Sequence, residues 1–144
     1  MDKVNVLFVC LGNICRSPTA HGVMESLVRQ HGLEGQVGVD SCGTGAWHIG
    51  QPPDERTLQV ARNRGYDFSH QRARRLGRED FDRFHYILAM DTRNLADVIG
   101  KAPADYSGRI QLFLDYHPER SLLEVPDPYY GGTEGFERVF TLVE

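Results

Sequence analysis

The residues best suited to do chemistry lie between Cys10 and Ser17, where the sequence reads C-L-G-N-I-C-R-S and a proline follows. A cysteine thiolate is a nucleophile, and the guanidinium of Arg16 offers a planar fork of donors that matches two oxygens of a phosphate. Gly12 allows a ligand to approach the backbone, and Asn13 is of a residue type that tolerates a left-handed conformation. Together these residues predict an anion-binding loop that carries a nucleophile.

The loop joins a predicted strand to a predicted helix. Residues 4–9 form an apolar run rich in β-branched side chains, which is typical of a buried parallel strand. A helical pattern follows from Pro18, and its apolar face carries Val23, Met24, Leu27 and Val28. A helix N-terminus attracts anions and therefore favours Cys10 as a thiolate. The Ser17 hydroxyl could donate a hydrogen bond to that thiolate. An inert buried cysteine beside a surface arginine is the alternative, but the joint pattern favours a nucleophile.

Predicted strands and helices alternate along the rest of the chain. The strands are predicted at residues 4–9, 36–40, 85–90 and 109–114. The helices are predicted at 18–31, 55–64, 78–84, 92–99 and 133–144, the fourth with Leu95, Val98 and Ile99 facing inward. Asp54 and Asp91 are expected to cap the helices that follow them, and 41–50 to form a glycine-rich loop. This alternation indicates an α/β fold in which helices cover both faces of a parallel sheet.

Composition favours one domain over residues 1–144, since 40% of the residues are hydrophobic and 25% are charged. The net charge of −4 gives no reason to expect nucleic-acid binding, and no apolar run is long enough to insert into a membrane. Because Met1 to Lys3 lead directly into the first predicted strand, no signal peptide is expected, and the three cysteines do not look like a disulfide framework. We therefore expect a cytoplasmic protein. The chain shows no metal-ligand spacing, and no metal or cofactor is expected.

The string C-L-G-N-I-C-R-S-P resembles the signature loop of the low-molecular-weight protein tyrosine phosphatases, and the resemblance extends from Val4 to Glu144. It implies a three-layer sandwich whose four-stranded parallel sheet has the flavodoxin-like order 2-1-3-4. It also implies hydrolysis of phosphotyrosine through a phosphocysteine, with Cys10 as nucleophile and Arg16 as phosphate clamp. The phosphate-binding residues would be Leu11, Gly12, Asn13, Ile14, Cys15, Arg16 and Ser17.

A cysteine phosphatase also needs an acid, because a phenolate leaves with a pKa of about 10. Asp127 lies between Pro126 and Pro128, which restrict the backbone on both sides. The residues alone leave an ordinary turn and a general acid equally open. The string D-P-Y-Y-G resembles the general-acid loop of the family, which implies that Asp127 protonates the tyrosine oxygen and then serves as base.

The resemblance also assigns a substrate crevice, in which a phosphotyrosine ring would stack, to Trp47, Tyr129 and Tyr130. Without the resemblance, Trp47, the single tryptophan, is better interpreted as an anchor of its loop than as a substrate contact. The loop would be supported through hydrogen bonds by Ser17, Ser41 and His70, together with Asn13. A surface polar residue is the alternative for His70. Asp91 is expected to be a helix cap rather than a catalytic acid, although it could also order the loop.

The other two cysteines lead to different expectations. Cys15 either packs beneath the loop or forms a reversible disulfide with Cys10 that protects the nucleophile from over-oxidation. Cys42 replaces a small apolar residue that is usual in the family and is expected to pack as a hydrophobe. His21 stands where an acidic residue is common. The last predicted helix stops at Glu144, earlier than the family usually ends, which is consistent with truncation.

Two other functions fit the loop alone. An arsenate reductase of the same fold needs a relay of cysteines, and residues 81–101 contain none. A non-catalytic phosphopeptide or oxyanion sensor would not need both Cys10 and Asp127. The expected partners are tyrosine-phosphorylated proteins, with a bacterial tyrosine kinase as a candidate because the G-T-G-A-W-H loop looks bacterial, and phosphate or similar oxyanions. The basic run of Arg72, Arg74, Arg75 and Arg78 is interpreted as a solvated face rather than a docking surface.

Overall fold

The structure is a computed structural model that describes residues 4–13, 16–45 and 49–113. Its elements, in chain order, are β1 (Val4–Cys10), α1 (Arg16–Gln30), β2 (Val37–Gly43), α2 (Glu55–Asn63), α3 (Asp80–Arg83), β3 (Tyr86–Ala89), α4 (Thr92–Lys101) and β4 (Arg109–Leu112). The four strands are parallel and lie in the order β2-β1-β3-β4. The predicted α/β fold and strand order are confirmed.

The central strand β1 is buried on both of its faces. Val6 and Phe8 pack with side chains of α1 and α2, whereas Leu7 and Val9 pack with side chains of α3 and α4. Successive side chains of a strand point to opposite faces, so an uninterrupted apolar run supplies both cores at once. The result is a three-layer sandwich with helices on both faces of the sheet.

The strand β2 differs from its prediction. It was expected at residues 36–40, followed by a glycine-rich loop, but it continues through Ser41 and Cys42 to Gly43. Full parallel pairing with β1, from Val4 opposite Val37 to Cys10 opposite Gly43, accounts for the extension. Strand formation depends on such cross-strand neighbours more than on local propensity.

The helices confirm most of the pattern but correct its inward faces. Leu27 of α1 is 44% exposed and Ile99 of α4 is 56% exposed, although both were expected to face inward. Their neighbours Val28 and Val98 are buried instead, because each helix presents only a narrow stripe at these ends. The helix α1 also begins two positions before the predicted Pro18, and every residue from Arg16 to Val23 is buried.

The two predicted aspartate caps are both present. The side chain of Asp54 accepts a hydrogen bond from the Arg56 amide, and that of Asp91 accepts one from the Asn94 amide. The predicted general-acid loop around Asp127 and the predicted helix 133–144 lie outside the described residues. Within the described part of the chain, each helix is too short or too polar to cross a bilayer.

Candidate functional site

The carboxyl ends of β1, β2 and β3 bring the candidate site together. Cys10 is the last residue of β1 and lies opposite Gly43, the last residue of β2. Asp91 follows β3, and α1 begins at Arg16 directly after the loop. In an open parallel sheet, ligands bind at the carboxyl ends of the strands, beside the point where the strand order reverses. The topology thus places a thiol, a guanidinium and a carboxylate at the same mouth.

The Cys10 thiol is 1% exposed and has two polar contacts. The Asn13 amide donates to its Sγ at 3.2 Å, and the Ser17 hydroxyl lies 3.0 Å from the same sulfur. Ser17 Oγ has a single proton, which it can direct to Sγ or, at 3.4 Å, to the Cys42 carbonyl. With the proton directed to sulfur, Sγ accepts hydrogen bonds from both groups.

Asn13 holds the loop in its shape from two sides. Its backbone has a φ of 59°, the left-handed conformation that the sequence pattern anticipated. Its Nδ2 donates to Ser17 Oγ at 2.8 Å, and its Oδ1 accepts from the Arg74 amide at 3.0 Å. Because this side chain is buried, both of its polar ends are used within the protein.

Arg16 is held by Asp91. Arg16 is 2% exposed, and its Nη1 donates to Asp91 Oδ2 at 2.6 Å. The other carboxylate oxygen, Oδ1, caps α4 at the Asn94 amide. A single aspartate therefore anchors a helix and orients the guanidinium. The sequence analysis found the cap and left open that Asp91 orders the loop, but it did not identify Arg16, 75 residues away, as the partner.

Gly43 packs directly under the loop, which the sequence analysis did not anticipate. A Cβ atom at Gly43 would lie 2.7 Å from the Leu11 carbonyl oxygen and 3.1 Å from the Asn13 amide nitrogen. Just beyond it, the amides of Thr44 and Gly45 donate to the carbonyls of Cys10 and Leu11, each at 2.9 Å. Only a residue without a side chain permits this close approach of β2 to the loop.

Arg74 supports Asn13 and is itself fixed by two aspartates. Its guanidinium donates to Asp40 at 3.0 Å and to both oxygens of the buried Asp80 at 3.0 Å. Burial alone lowers the pKa of Arg74, but the hydrogen bond to Asp80 and the charge of Asp40 outweigh it, so this pKa is raised. Arg74 was predicted to lie on a solvated face. It is instead half-buried, because the two carboxylates compensate its charge.

Cys42 is fully buried in the apolar cluster that contains Leu7 and Val9, as expected for a packed hydrophobe. Burial raises the pKa of its thiol, so the group remains protonated at neutral pH. A neutral buried thiol is unreactive, which distinguishes Cys42 from Cys10.

Ser41 and His70 lie apart from the loop. Ser41 Oγ is 2.9 Å from His21 Nδ1, and the two oxygens of Glu25 lie 3.4 Å from His21 Nε2 and from His70 Nε2. The imidazole of His70 is 58% exposed, and its contact among the described residues is with Glu25, so the predicted support of the loop by His70 is not found in that part of the chain. Burial tends to raise the pKa of Glu25, but the two histidines lower it overall.

Gln71, the neighbour of His70, occupies the buried position. It is 6% exposed, and its Nε2 donates to the Pro18 carbonyl at 3.1 Å, in the first turn of α1. Phe68 on the same segment is buried against α1, where its ring fills the space left by the missing side chain of Gly22. The segment thus turns Gln71 inward and His70 outward, an orientation that the residue types alone do not determine.

Six predicted site residues lie outside the described residues: Ile14, Cys15, Trp47, Asp127, Tyr129 and Tyr130. Their assignments stay predictions. Among the described residues, no group of three or more His, Cys, Asp or Glu side chains is arranged to hold a metal ion.

Comparison with known proteins gives a consistent picture. The family described as "Low molecular weight phosphotyrosine protein phosphatase" matches residues 5–144. Low molecular weight protein-tyrosine-phosphatase YfkJ of Bacillus subtilis is 44% identical over 141 residues, which cover 98% of this chain and 89% of the relative. The corresponding phosphatase of Schizosaccharomyces pombe is 47% identical over 135 residues, with 93% of this chain and 86% of the relative covered.

Solved structures agree with these relatives. The protein tyrosine phosphatase of Entamoeba histolytica superimposes with a TM-score of 0.93 at 41% identity, over 99% of this chain and 90% of that one. A match across nearly the whole length, in both sequence and fold, includes the loop from Cys10 to Ser17. The chain therefore belongs to the low molecular weight phosphotyrosine protein phosphatases, a family of phosphomonoester hydrolases.

Proposed function

We propose that this protein hydrolyses phosphotyrosine in proteins through a phosphocysteine on Cys10. The observation that carries the proposal is the setting of the Cys10 sulfur. It lies at the end of β1, within reach of the Asn13 amide and the Ser17 hydroxyl, and α1 begins six residues later with a buried arginine. A thiolate in such a setting is stabilised and remains a nucleophile.

In the first step the Cys10 thiolate attacks phosphorus in line with the tyrosine oxygen. A sulfur–phosphorus bond forms as the bond to the leaving oxygen breaks, and Asp127 transfers its proton to that oxygen. Ser17 and the Asn13 amide hold the sulfur before attack and release it as its negative charge is lost. The step involves no oxidation or reduction, because it only transfers the phosphoryl group from the tyrosine oxygen to sulfur.

Arg16 and the loop amides hold the three equatorial phosphoryl oxygens in the transition state. Nη1 of Arg16 is anchored to Asp91, which fixes the plane of the guanidinium before the substrate arrives. Donors placed in advance stabilise the developing charge without reorganising during the reaction. The loop residues proposed for this role run from Leu11 to Ser17.

The second step hydrolyses the phosphocysteine. Asp127, now a carboxylate, takes a proton from water as the water oxygen attacks phosphorus, and the sulfur leaves as a thiolate. Inorganic phosphate is released and Asp127 is protonated again, so the enzyme returns to its starting state. The donors of Ser17 and Asn13 that stabilise the attacking thiolate also stabilise it as leaving group.

The substrate and setting form part of the same proposal. Trp47, Tyr129 and Tyr130 would line a crevice that selects an aromatic phosphate, and a bacterial tyrosine kinase is a candidate partner. Cys10 and Cys42 are both free thiols, which suits the reducing cytoplasm, and residues 1–144 would act as one domain. A disulfide between Cys10 and Cys15 that interrupts turnover stays a prediction.

A leaving-group series tests the role of Asp127. In Asp127→Ala, kcat should fall about 10²–10⁴-fold for phenyl phosphate, whose leaving group needs a proton, and much less for an ester of an acidic phenol. The measurement is kcat without added metal for aryl phosphates whose phenols differ in pKa. Equal losses across the series would show that Asp127 is not the acid. Absence of all turnover in the unmodified protein would overturn the proposed function itself.

The close approach of β2 to the loop gives a second prediction. Gly43→Ala places a methyl group 2.7 Å from the Leu11 oxygen, so the loop must shift. We expect the affinity for inorganic phosphate to fall about tenfold or more, since overpacking of this kind costs roughly 1–3 kcal/mol. Titration calorimetry with phosphate measures this. Gly35→Ala, where a Cβ would meet nothing within 4 Å, is the matched control and should bind normally. Unchanged affinity in Gly43→Ala would contradict the prediction.

A further inference from the structure

A basic groove lies beside the mouth of the site. Its volume is about 540 Å³, and it is lined by the cationic side chains of Arg75, Arg78 and Lys101 over an apolar floor of Leu76, Phe81 and Pro103. The three cationic residues are exposed, whereas Leu76 and Phe81 are buried. The proposed chemistry at Cys10 uses none of these side chains.

The basic run that the sequence analysis treated as one solvated face is divided by the fold. Arg74 turns inward to Asp40 and Asp80, and Arg72 donates to the carbonyls of Ser69 and Gln71. Arg75 and Arg78 are different, because neither forms an ion pair with another residue in the part of the chain that the structure describes. Both side chains line the groove, where an incoming anion would meet them.

The groove is close enough to Cys10 to contact the same substrate. Arg75 forms a parallel bridge to Gly43, and Gly43 lies opposite Cys10 in the sheet. Neighbouring strands are about 4.8 Å apart, so the Arg75 backbone lies roughly 10 Å from that of Cys10. On the other wall, Lys101 Nζ donates to the Thr44 carbonyl at 3.4 Å, just beyond the end of β2. An extended peptide covers about 10 Å in three residues.

The charge of the groove contrasts with that of the protein. The chain carries a net charge of −4, yet three cationic side chains converge here. Among the described residues, Glu79 brings an opposing charge to the rim, where its Oε1 would lie 3.0 Å from a Cβ at Gly77. Asp80 is buried against Arg74 and is not available. The balance favours an acidic ligand, and the apolar floor suits the methylene groups of its side chain.

We propose that this groove binds an acidic side chain within about three residues of the phosphotyrosine, and so selects substrates with acidic flanking sequence. This inference rests on the proposed function, because the phosphotyrosine in the Cys10 loop defines where the peptide lies. It replaces the interpretation of Arg75 and Arg78 as merely solvated. The occupant is a segment of the substrate protein.

Two phosphotyrosine peptides of equal length test the proposal. One carries glutamate three residues before and after the phosphotyrosine, and the other carries glutamine at both positions. At low salt we expect kcat/KM to be about three- to tenfold higher for the acidic peptide, which is the range for two exposed ion pairs. The ratio of the two kcat/KM values should approach one at about 0.5 M salt, because salt screens exposed charges. In the double variant Arg75→Gln/Arg78→Gln the low-salt ratio should also approach one. Turnover of para-nitrophenyl phosphate, which is too small to reach the groove, should change less than about twofold.

Arg29→Gln is the control for loss of a positive charge outside the groove, because Arg29 is an exposed arginine in the last turn of α1. It removes one charge, and each single variant, Arg75→Gln or Arg78→Gln, is its charge-matched counterpart. Arg29→Gln should keep the peptide preference. A preference that survives in the double variant, or its absence in the unmodified protein, would overturn the proposal. A third outcome would also overturn the proposal: the protein binds phosphatidylserine vesicles through Arg75 and Arg78, but its preference for the acidic peptide does not depend on them. The groove would then be a membrane site.

A binding measurement separates this proposal from the proposed function. Fluorescence anisotropy with labelled peptides on Cys10→Ser protein reports affinity without turnover. An acidic preference that needs Arg75 and Arg78 would support the groove even if the unmodified protein failed to hydrolyse para-nitrophenyl phosphate. Equal affinity for the two peptides would overturn the groove and leave the chemistry at Cys10 unaffected.

Discussion

Replacing Cys10 with serine is expected to reduce turnover of para-nitrophenyl phosphate by about 10⁴-fold or more, as loss of a nucleophile does in other covalent enzymes. A serine hydroxyl is a far weaker nucleophile than a thiolate, because it is not ionised near neutral pH. The Ser17 hydroxyl and the Asn13 amide would still have an oxygen to bind in place of sulfur. The affinity for inorganic phosphate should therefore stay within a few-fold of its original value.

The matched control uses the other described thiol. Cys42→Ala removes a buried group that packs with Leu7 and Val9 and whose raised thiol pKa keeps it protonated. It should lower the free energy of unfolding by roughly 1 kcal/mol through lost packing while turnover is kept. Steady-state kinetics measure turnover in both variants, and calorimetric titration with phosphate measures their affinity for it. Turnover that survives in Cys10→Ser would show that the sulfur is not the nucleophile.

Arg16→Lys should lower kcat/KM by about 10²–10³-fold, the loss expected when a preorganised donor to the transition state is removed. A lysine keeps the positive charge near Asp91 but cannot bind the carboxylate and two phosphoryl oxygens with one planar group. Because the charge is retained, the midpoint of thermal unfolding should move little. Kinetics together with calorimetric unfolding separate the two effects, and a variant with normal kcat/KM would show that Arg16 does not clamp the phosphate.

The same clamp can be tested from the carboxylate. Asp91→Asn keeps an N-cap acceptor for the Asn94 amide but loses the charge that orients Arg16. We expect kcat/KM to fall about tenfold or more, since a guanidinium displaced by a fraction of an ångström aligns the phosphoryl group poorly. Asp54→Asn makes the same change at the cap of α2, where the partner is Arg56, and should leave turnover unchanged. Equal effects of the two variants would assign the Asp91 effect to capping.

Much of the fold could be predicted because its signals are local. The apolar run of β1 is a local pattern, and the capping residues Asp54 and Asp91 bind amides only a few positions away in the sequence. Errors arose where tertiary contacts decide. Pairing with β1 extended β2 to Gly43, and the narrow buried stripe of each helix left Leu27 and Ile99 exposed. The sequence of a single segment specifies neither its partner strand nor the orientation of its helix against the sheet.

The sequence by itself predicted the chemistry proposed for the loop from Cys10 to Ser17, because the candidate nucleophile, the candidate clamp and the asparagine suited to a left-handed conformation all lie in one segment between strand and helix. What supports that loop was decided by tertiary structure. Arg16 meets Asp91 across 75 positions, and Asn13 meets the Arg74 amide across 61. The parallel sheet gathers these distant residues at one edge, where close approach to a backbone carbonyl also requires Gly43. The same folding divides one basic run into the half-buried support of Arg74 and the exposed groove of Arg75 and Arg78, because Arg74 lies within reach of Asp40 and Asp80, whereas Arg75 and Arg78 form no ion pair with another described residue.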